Sequence, residues 1–342
     1  MTVLVTGATG FVGLALTEAL ARRGEHVRTL SRGDHPALDR LAREGRVTHT
    51  RGDLRDPSAV RRAAEGARAI AHVGAKTGVW GARAEYFGVN VEGTRNVLDA
   101  ARALGVARVV YTSTPSVVHG GVDVEGIDER APYAERFATA YPETKALAER
   151  AVLAAHGMRL PGGAVLATCA LRPHLVWGPG DTNLGPRIVA RARQGRLALV
   201  DGGRSLVDAT YIDSCVHAHL CALDRLAPDA ACGGRAYFIA QGEPTTIRAL
   251  VTGIVAAHGL TPRVRSLPLG LAKALGAAFE LVYGLGRIER EPPLTRFVAE
   301  QLGTAHWYDL TAARRDLGYA APVSTAEGLR RLAASVVADG GA

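Results

Sequence analysis

Short runs rich in β-branched residues recur along the first half of the chain, at 3–5, 27–30, 47–50, 70–73, 109–111 and 165–171. Between them lie longer stretches with apolar residues at helical spacing, over 14–23, 57–65, 92–104 and 140–156. Strand and helix in such alternation require crossover connections, and crossovers give a parallel sheet covered by helices on both faces. The fold class expected is therefore α/β, a doubly wound parallel sheet of the Rossmann type. A run at 236–240 reads as a strand rejoining that sheet, whereas 183–203 and most of the chain after 245 lose the alternation and read as helix and loop. This predicts a main domain over 1–180, rejoined by about 208–245, and a smaller, discontinuous, mostly helical lobe from 181–207 and 246–342. A chain of 342 residues has room for both.

The first strand runs into Thr6-Gly7-Ala8-Thr9-Gly10-Phe11-Val12-Gly13, which opens the first helix. Glycines there turn the chain tightly, let backbone N–H groups approach a pyrophosphate, and pack the helix close to the sheet with its N-terminus facing the anion. Gly7, Thr9, Gly10, Phe11, Val12 and Gly13 are the expected contacts, which makes 1–180 a dinucleotide-binding domain. A NAD site usually places a carboxylate at the end of the second strand, but here that strand ends Leu30-Ser31-Arg32, with no carboxylate before Asp34. The Arg32 guanidinium can fork onto a ribose 2′-phosphate and Ser31 can add a hydroxyl, so the cofactor expected is NADP(H). A solvated turn is the competing reading of Arg32. After the third strand, Asp53 and Leu54 are placed to meet an adenine edge, with turn capping as the alternative role of Asp53.

Tyr141 and Lys145 stand i, i+4 on the helix predicted over 140–156, so both project from one face. A phenol is a poor acid–base catalyst at neutral pH, but a nearby ammonium favours phenolate, and the same ammonium can hydrogen-bond a nicotinamide ribose. Tyr111-Thr112-Ser113-Thr114 places hydroxyls at the C-terminal end of a strand, where open α/β sheets bind ligands. Together TGATGFVG (6–13), Asn90-Val91-Glu92-Gly93-Thr94, YTSTPSVV (111–118), the Tyr141/Lys145 pair and LRPHLVWGPGD (171–181) resemble the extended short-chain dehydrogenase/reductases of the 3β-hydroxysteroid dehydrogenase-like group. The resemblance covers nearly the whole chain. It implies hydride transfer from nicotinamide C4 to a ketone carbon, with Tyr141 protonating the oxygen, Thr114 orienting it and Lys145 depressing the Tyr141 pKa. The family usually has Ser where Thr114 stands, which leaves Ser113 as a substitute hydroxyl.

Residues 171–197, 206–213 and 292–319 are similar to the members of that group that reduce long-chain 2-alkyl-3-oxoalkanoates to 3-hydroxy acids in bacterial olefin biosynthesis, ahead of β-lactone formation. The implied substrate is a lipid-like keto acid, with Lys76 and Arg187 as candidate partners for its carboxylate. The amphipathic stretch 267–285 then reads either as the roof of an acyl tunnel or as an ordinary core helix. One competing reading is a 3β-hydroxysteroid or sterol-4-carboxylate dehydrogenase, against which the Leu30-Ser31-Arg32 ending argues, because those relatives commonly prefer NAD. Another is a non-catalytic NADP(H) sensor, against which intact Thr114, Tyr141 and Lys145 argue. The resemblance also implies a homodimer through the fourth and the Tyr–Lys helices, and an assembly with later pathway enzymes.

Composition narrows the partners. Lys+Arg 41 against Asp+Glu 33 gives a net charge of +8. The basic residues form no block and carry no aromatic interleaving, so a nucleic-acid partner is not expected. Of the 41 cations 38 are arginine, and Lys76, Lys145 and Lys273 are the exceptions. A compact ammonium suits a slot between a phenol and a ribose better than a guanidinium, which gives Lys145 a chemical reason to be lysine. Cys169, Cys215, Cys221 and Cys232 show no C-x-x-C spacing and read as reduced structural thiols of a cytoplasmic protein without a zinc site. No secretory signal precedes residues 3–5, and Lys273 and Glu280 interrupt 267–285 short of an integral membrane span. His217 and His219 face apart on an apparent helix, so no metal is expected; His72 and His174 read as cleft-lining or as structural histidines.

Overall fold

A computed structural model describes residues 1–340. Seven strands form one parallel sheet: β1 (Thr2–Thr6), β2 (His26–Ser31), β3 (Val47–Arg51), β4 (Ala69–His72), β5 (Arg108–Thr112), β6 (Ala167–Pro173) and β7 (Ala236–Ile239). Their order is β7-β6-β5-β4-β1-β2-β3. The chain leaves β1 in one direction, builds β2 and β3, and returns to lay β4 against the other side of β1, with Thr6 opposite His72 in register. That reversal opens a crevice beyond the C-terminal ends of β1 and β4.

The helices are α1 (Phe11–Arg22), α2 (Pro36–Arg43), α3 (Pro57–Ala64), α4 (Gly93–Leu104), α5 (Ala140–Ala154), α6 (Leu184–Arg193), α7 (Ile212–Arg225), α8 (Ile247–Ala257), α9 (Leu269–Leu285), α10 (Arg296–Gly303), α11 (Thr311–Leu317) and α12 (Thr325–Gly340). Alternation along β1 sorts the core into two layers. Val3 and Val5 pack with Leu16 and Leu20 of α1 and with Val216 of α7, while Leu4 packs with Val60 of α3 and Val97 of α4. β6 is buried along its whole length, as a strand covered on both faces must be.

The described residues also hold helices α6 and α8–α12 and a second sheet that the apolar pattern does not reveal. Its strands run in the order Thr245–Thr246, Leu206–Val207, His306–Tyr308, Val124–Ile127, so a segment between β5 and α5 pairs with residues far along the chain. The stretch 267–285 forms α9, which is neither a roof over the central cleft nor a core helix. Only its Ala272 and Gly276 are buried. No helix among the described residues is long and apolar enough to cross a membrane.

Candidate active site

The cofactor and catalytic residues singled out in the sequence, with Lys76, surround one cleft of about 690 Å³ at the C-terminal edge of the sheet. Its first wall is the glycine loop. Gly7 has φ +70° and lies so near the end of β4 that a Cβ there would stand 2.6 Å from Gly74 Cα. A Cβ on Gly13 would fall 2.2 Å from the Gly7 carbonyl oxygen, so α1 could not approach the loop with any other residue. Gly10 caps α1 in extended backbone and has no side chain to occupy the helix N-terminus. The result is a bare cradle of backbone at the positive end of a helix, a shape that fits a pyrophosphate.

The second wall holds the ends of β2 and β3. Ser31 donates to the Gly33 carbonyl at 3.0 Å. Asp34 is engaged by Arg51, 3.5 Å away, and the exposed Arg32 guanidinium makes no ion pair or hydrogen bond among the described residues. Leu54 and Asp53 both line the cleft. Asp53 also caps its turn, accepting from the Arg55 backbone N–H at 2.9 Å and from the Arg55 guanidinium at 3.0 and 2.8 Å.

The third wall combines the β5 end with α5. Ser113 is buried and its hydroxyl has no protein partner, whereas Thr114 caps the turn Pro115–Val117 through the Ser116 N–H. Tyr141 begins α5. Burial pushes its phenol up to about 12, and a hydrogen bond with Thr114 pulls in the opposite direction. The expected depression by Lys145 is not the controlling effect. Lys145 donates to the Thr112 carbonyl at 2.6 Å and lies 4.1 Å above the Tyr111 ring, and burial pushes its own pKa down to about 7 against the pull of Glu149. At neutral pH the phenol therefore holds its proton, and the lysine exchanges one readily.

The two substrate candidates separate. Lys76 lines the cleft, with its ammonium 2.7 Å from the exposed Glu85 carboxylate. Arg187 is not part of the cleft lining: both arms of its guanidinium are held by Glu291 at 2.8 Å. That partner lies 104 residues on, so spacing could not reveal it. His72 and His174 are structural. The His72 ring bridges Thr6 and Thr94, and His174 Nδ1 bonds the Asp208 carbonyl. His219 is likewise held by Thr112 and the Cys215 carbonyl, the four cysteines are buried and unpaired, and no metal-binding cluster occurs among the described residues.

Three features escaped the sequence reading. Asn90, in a π-helical turn that leads into α4, accepts from the Lys76 N–H at 2.7 Å and donates to the Lys76 carbonyl and to Thr144 of α5. It thereby ties the loop after β4 to the helix of Tyr141 and Lys145. Leu175 lines the cleft with φ +44°, held by Thr210, which donates through Oγ1 to the His174 carbonyl at 2.8 Å. Asp181, also on the cleft, caps α6 by accepting from the Asn183 and Gly185 N–H groups at 2.7 Å. Asn90, Leu175 and Asp181 all stand inside the motifs at 90–94 and 171–181, which was the available signal.

A parallel sheet with this switch point, a glycine cradle and a Tyr/Lys helix beside a hydroxyl-bearing strand end define an extended short-chain dehydrogenase/reductase. Residues 4–269 match the model of the 3-beta hydroxysteroid dehydrogenase/isomerase family, and the chain belongs to it. It is an oxidoreductase acting on CH–OH or C=O groups. A 2-alkyl-3-oxoalkanoate reductase of Stenotrophomonas maltophilia (strain K279a) is 50% identical over 341 residues, covering 99% of this chain and 100% of the relative. A protein of the same description from Shewanella oneidensis is 45% identical over 97% of this chain and 85% of its own length. Among solved structures, a UDP-glucuronic acid 4-epimerase from Bacillus cereus in complex with NAD superposes with a TM-score of 0.75 at 20% identity, covering 99% of each chain, a likeness of fold.

Proposed function

We propose that this oxidoreductase is an NADPH-dependent reductase of long-chain 2-alkyl-3-oxoalkanoates, giving 3-hydroxy acids on the route to bacterial olefins. The observation that carries the reading is the convergence of Thr114, Tyr141 and Lys145 on one cleft, in a chain 50% identical along its length to a reductase of that description. The bare glycine cradle fits a pyrophosphate, and the unpaired Arg32 at the end of β2 fits a 2′-phosphate better than a free 2′-hydroxyl. A nicotinamide nucleotide supplies the hydride when bound. Gly7, Thr9, Gly10, Phe11, Val12 and Gly13 would hold its phosphates, Ser31 and Arg32 the 2′-phosphate, and Asp53 and Leu54 the adenine side.

Tyr141, protonated at neutral pH, donates to the carbonyl oxygen as the carbon is reduced. Thr114 hydrogen-bonds the same oxygen, with Ser113 as the alternative hydroxyl. Lys145, whose burial lowers its pKa to about 7, lines the same cleft and would hydrogen-bond the nicotinamide ribose. Lys76 answers the substrate carboxylate, exchanging Glu85 for it, and the lobe from 181–207 and 246–342 shapes the acyl site. Four buried, unpaired thiols favour the cytoplasm as compartment. Pairing of two copies through α4 and α5, and contact with later pathway enzymes, belong to the same reading.

The test is NADPH oxidation with a 2-alkyl-3-oxo acid beside a 3-ketosteroid, each repeated with NADH. Turnover of the keto acid with a preference for NADPH is expected, and turnover of the steroid alone would overturn the substrate. Tyr141→Phe should lower kcat by about 10³ while leaving the Kd for NADPH within about twofold.

A further inference from the structure

The helix α9 is amphipathic in the reverse sense. Its two charged residues face the protein: Lys273 pairs with Glu300 at 2.8 Å, and Glu280 accepts from the Arg296 guanidinium and backbone N–H at 2.7 Å. Gly276 lies so close to the start of α10 that a Cβ would stand 2.7 Å from Arg296 N. The opposite face carries Leu271, Leu275, Ala278, Val282 and Leu285, recurring at helical steps so that all five point one way. Leu271 is 51% exposed, Val282 59% and Leu285 78%, with Leu281 and Ile288 exposed beside them. An unbroken apolar stripe of this length, about 21 Å from Leu271 to Leu285, is a surface meant to be covered.

We infer that this face docks on an anionic phospholipid surface. Four exposed arginines flank the helix in sequence, Arg263 and Arg265 before it and Arg287 and Arg290 after it, and none forms an ion pair among the described residues; Glu289 and Glu291 are the acidic residues in that company, and Glu291 is taken by Arg187. Apolar residues flanked by unpaired cations match the boundary between acyl chains and anionic headgroups. A second copy of the chain fits less well. Both ends of the stripe are basic, so pairing two copies sets arginine against arginine whether the helices run parallel or antiparallel.

The far end of the stripe is also joined to the cleft. Trp80, in the loop that begins with the cleft-lining Lys76 and Thr77, donates its indole N–H to the Ile288 carbonyl at 2.9 Å and meets the Tyr283 ring edge-on at 6.3 Å. A chain seated by α9 presents this rim of the cleft to the lipid, where a long-chain keto acid resides. That consequence rests on the proposed substrate; the docking itself does not.

The experiment is co-sedimentation of the full chain with phosphatidylethanolamine–phosphatidylglycerol vesicles, with phosphatidylcholine vesicles in parallel. Binding to the anionic vesicles, weakened at about 0.5 M salt, is expected. The double variant Leu275→Glu, Val282→Glu should bind at least about tenfold more weakly, with unchanged Tm and unchanged turnover of a short, water-soluble keto acid. No binding to anionic vesicles, or equal binding by the double variant, overturns the inference. So does a wild-type dimer that the same substitutions dissociate. Vesicle binding without turnover of any keto acid leaves the docking intact and removes the reductase reading alone.

Discussion

Lys145 is 2% exposed, and that burial sets both its chemistry and its cost. The folded chain holds its pKa near 7, whereas in the unfolded chain the ammonium titrates at its ordinary value of 10.5. Between those values the unfolded state binds more protons, so this group's contribution to stability rises with pH, and the full penalty stands below about pH 7. Methionine has similar length and no charge. Lys145→Met should therefore abolish turnover yet resist unfolding better than the parent at about pH 6, by about 2 kcal/mol after the loss of the bond to Thr112. The advantage should shrink as the pH approaches about 10. Urea unfolding across that range checks it, and a gain that does not vary with pH would contradict the assignment. Burial likewise explains why Tyr141 departs from the sequence expectation: spacing puts the two side chains on one face, but desolvation raises the phenol's pKa and the Thr114 hydrogen bond is what opposes it.

At the scale of elements, local rules were legible and distant pairings were not. Gly7 and Gly13 announce themselves because their backbone contacts admit no Cβ, and the strands are visible as β-branched runs, most plainly β1, β4 and β6, which the sheet buries on both faces. The helix α2 was missed; it is short and rich in charge, opened by Pro36 and the His35 cap, and its apolar face is only Leu38 and Leu41. Val124–Ile127 was missed because its partner strand lies at His306–Tyr308. The end of β2 is the element on which cofactor choice turns. Arg32→Ala should raise the KM for NADPH about 10- to 100-fold, the worth of a charge-assisted bidentate contact, and leave NADH almost unaffected. Equal losses with both cofactors would return Arg32 to the role of a solvated turn residue.

Across the whole molecule, the sheet and the proposed smaller lobe meet at three histidines that no sequence spacing brings together. His119 follows the β5 end, His174 follows β6, and His306 comes from the lobe strand His306–Tyr308. The His306 ring lies 3.9 Å from that of His119 and 5.6 Å from that of His174. Burial pushes His119 and His174 down to about 4 and His306 lower still, so all three are neutral in the folded protein. An unfolded imidazole takes up its proton near 6.5, so stability is lost as pH falls from there toward 4. Protonating any one ring sets a charge against two others at the junction, which should part the lobe from the sheet in acid. Neither ring nitrogen of His119 has a partner, so leucine there leaves no donor or acceptor stranded. His119→Leu should therefore lessen the acid dependence of unfolding free energy by about one proton, or about 1.4 kcal/mol per pH unit. Buried His174, His306, His72 and His219 keep the remainder. Urea titrations at several pH values between about 6.5 and 4 measure that slope, and an unchanged slope would mean that His119 already shares its proton with solvent.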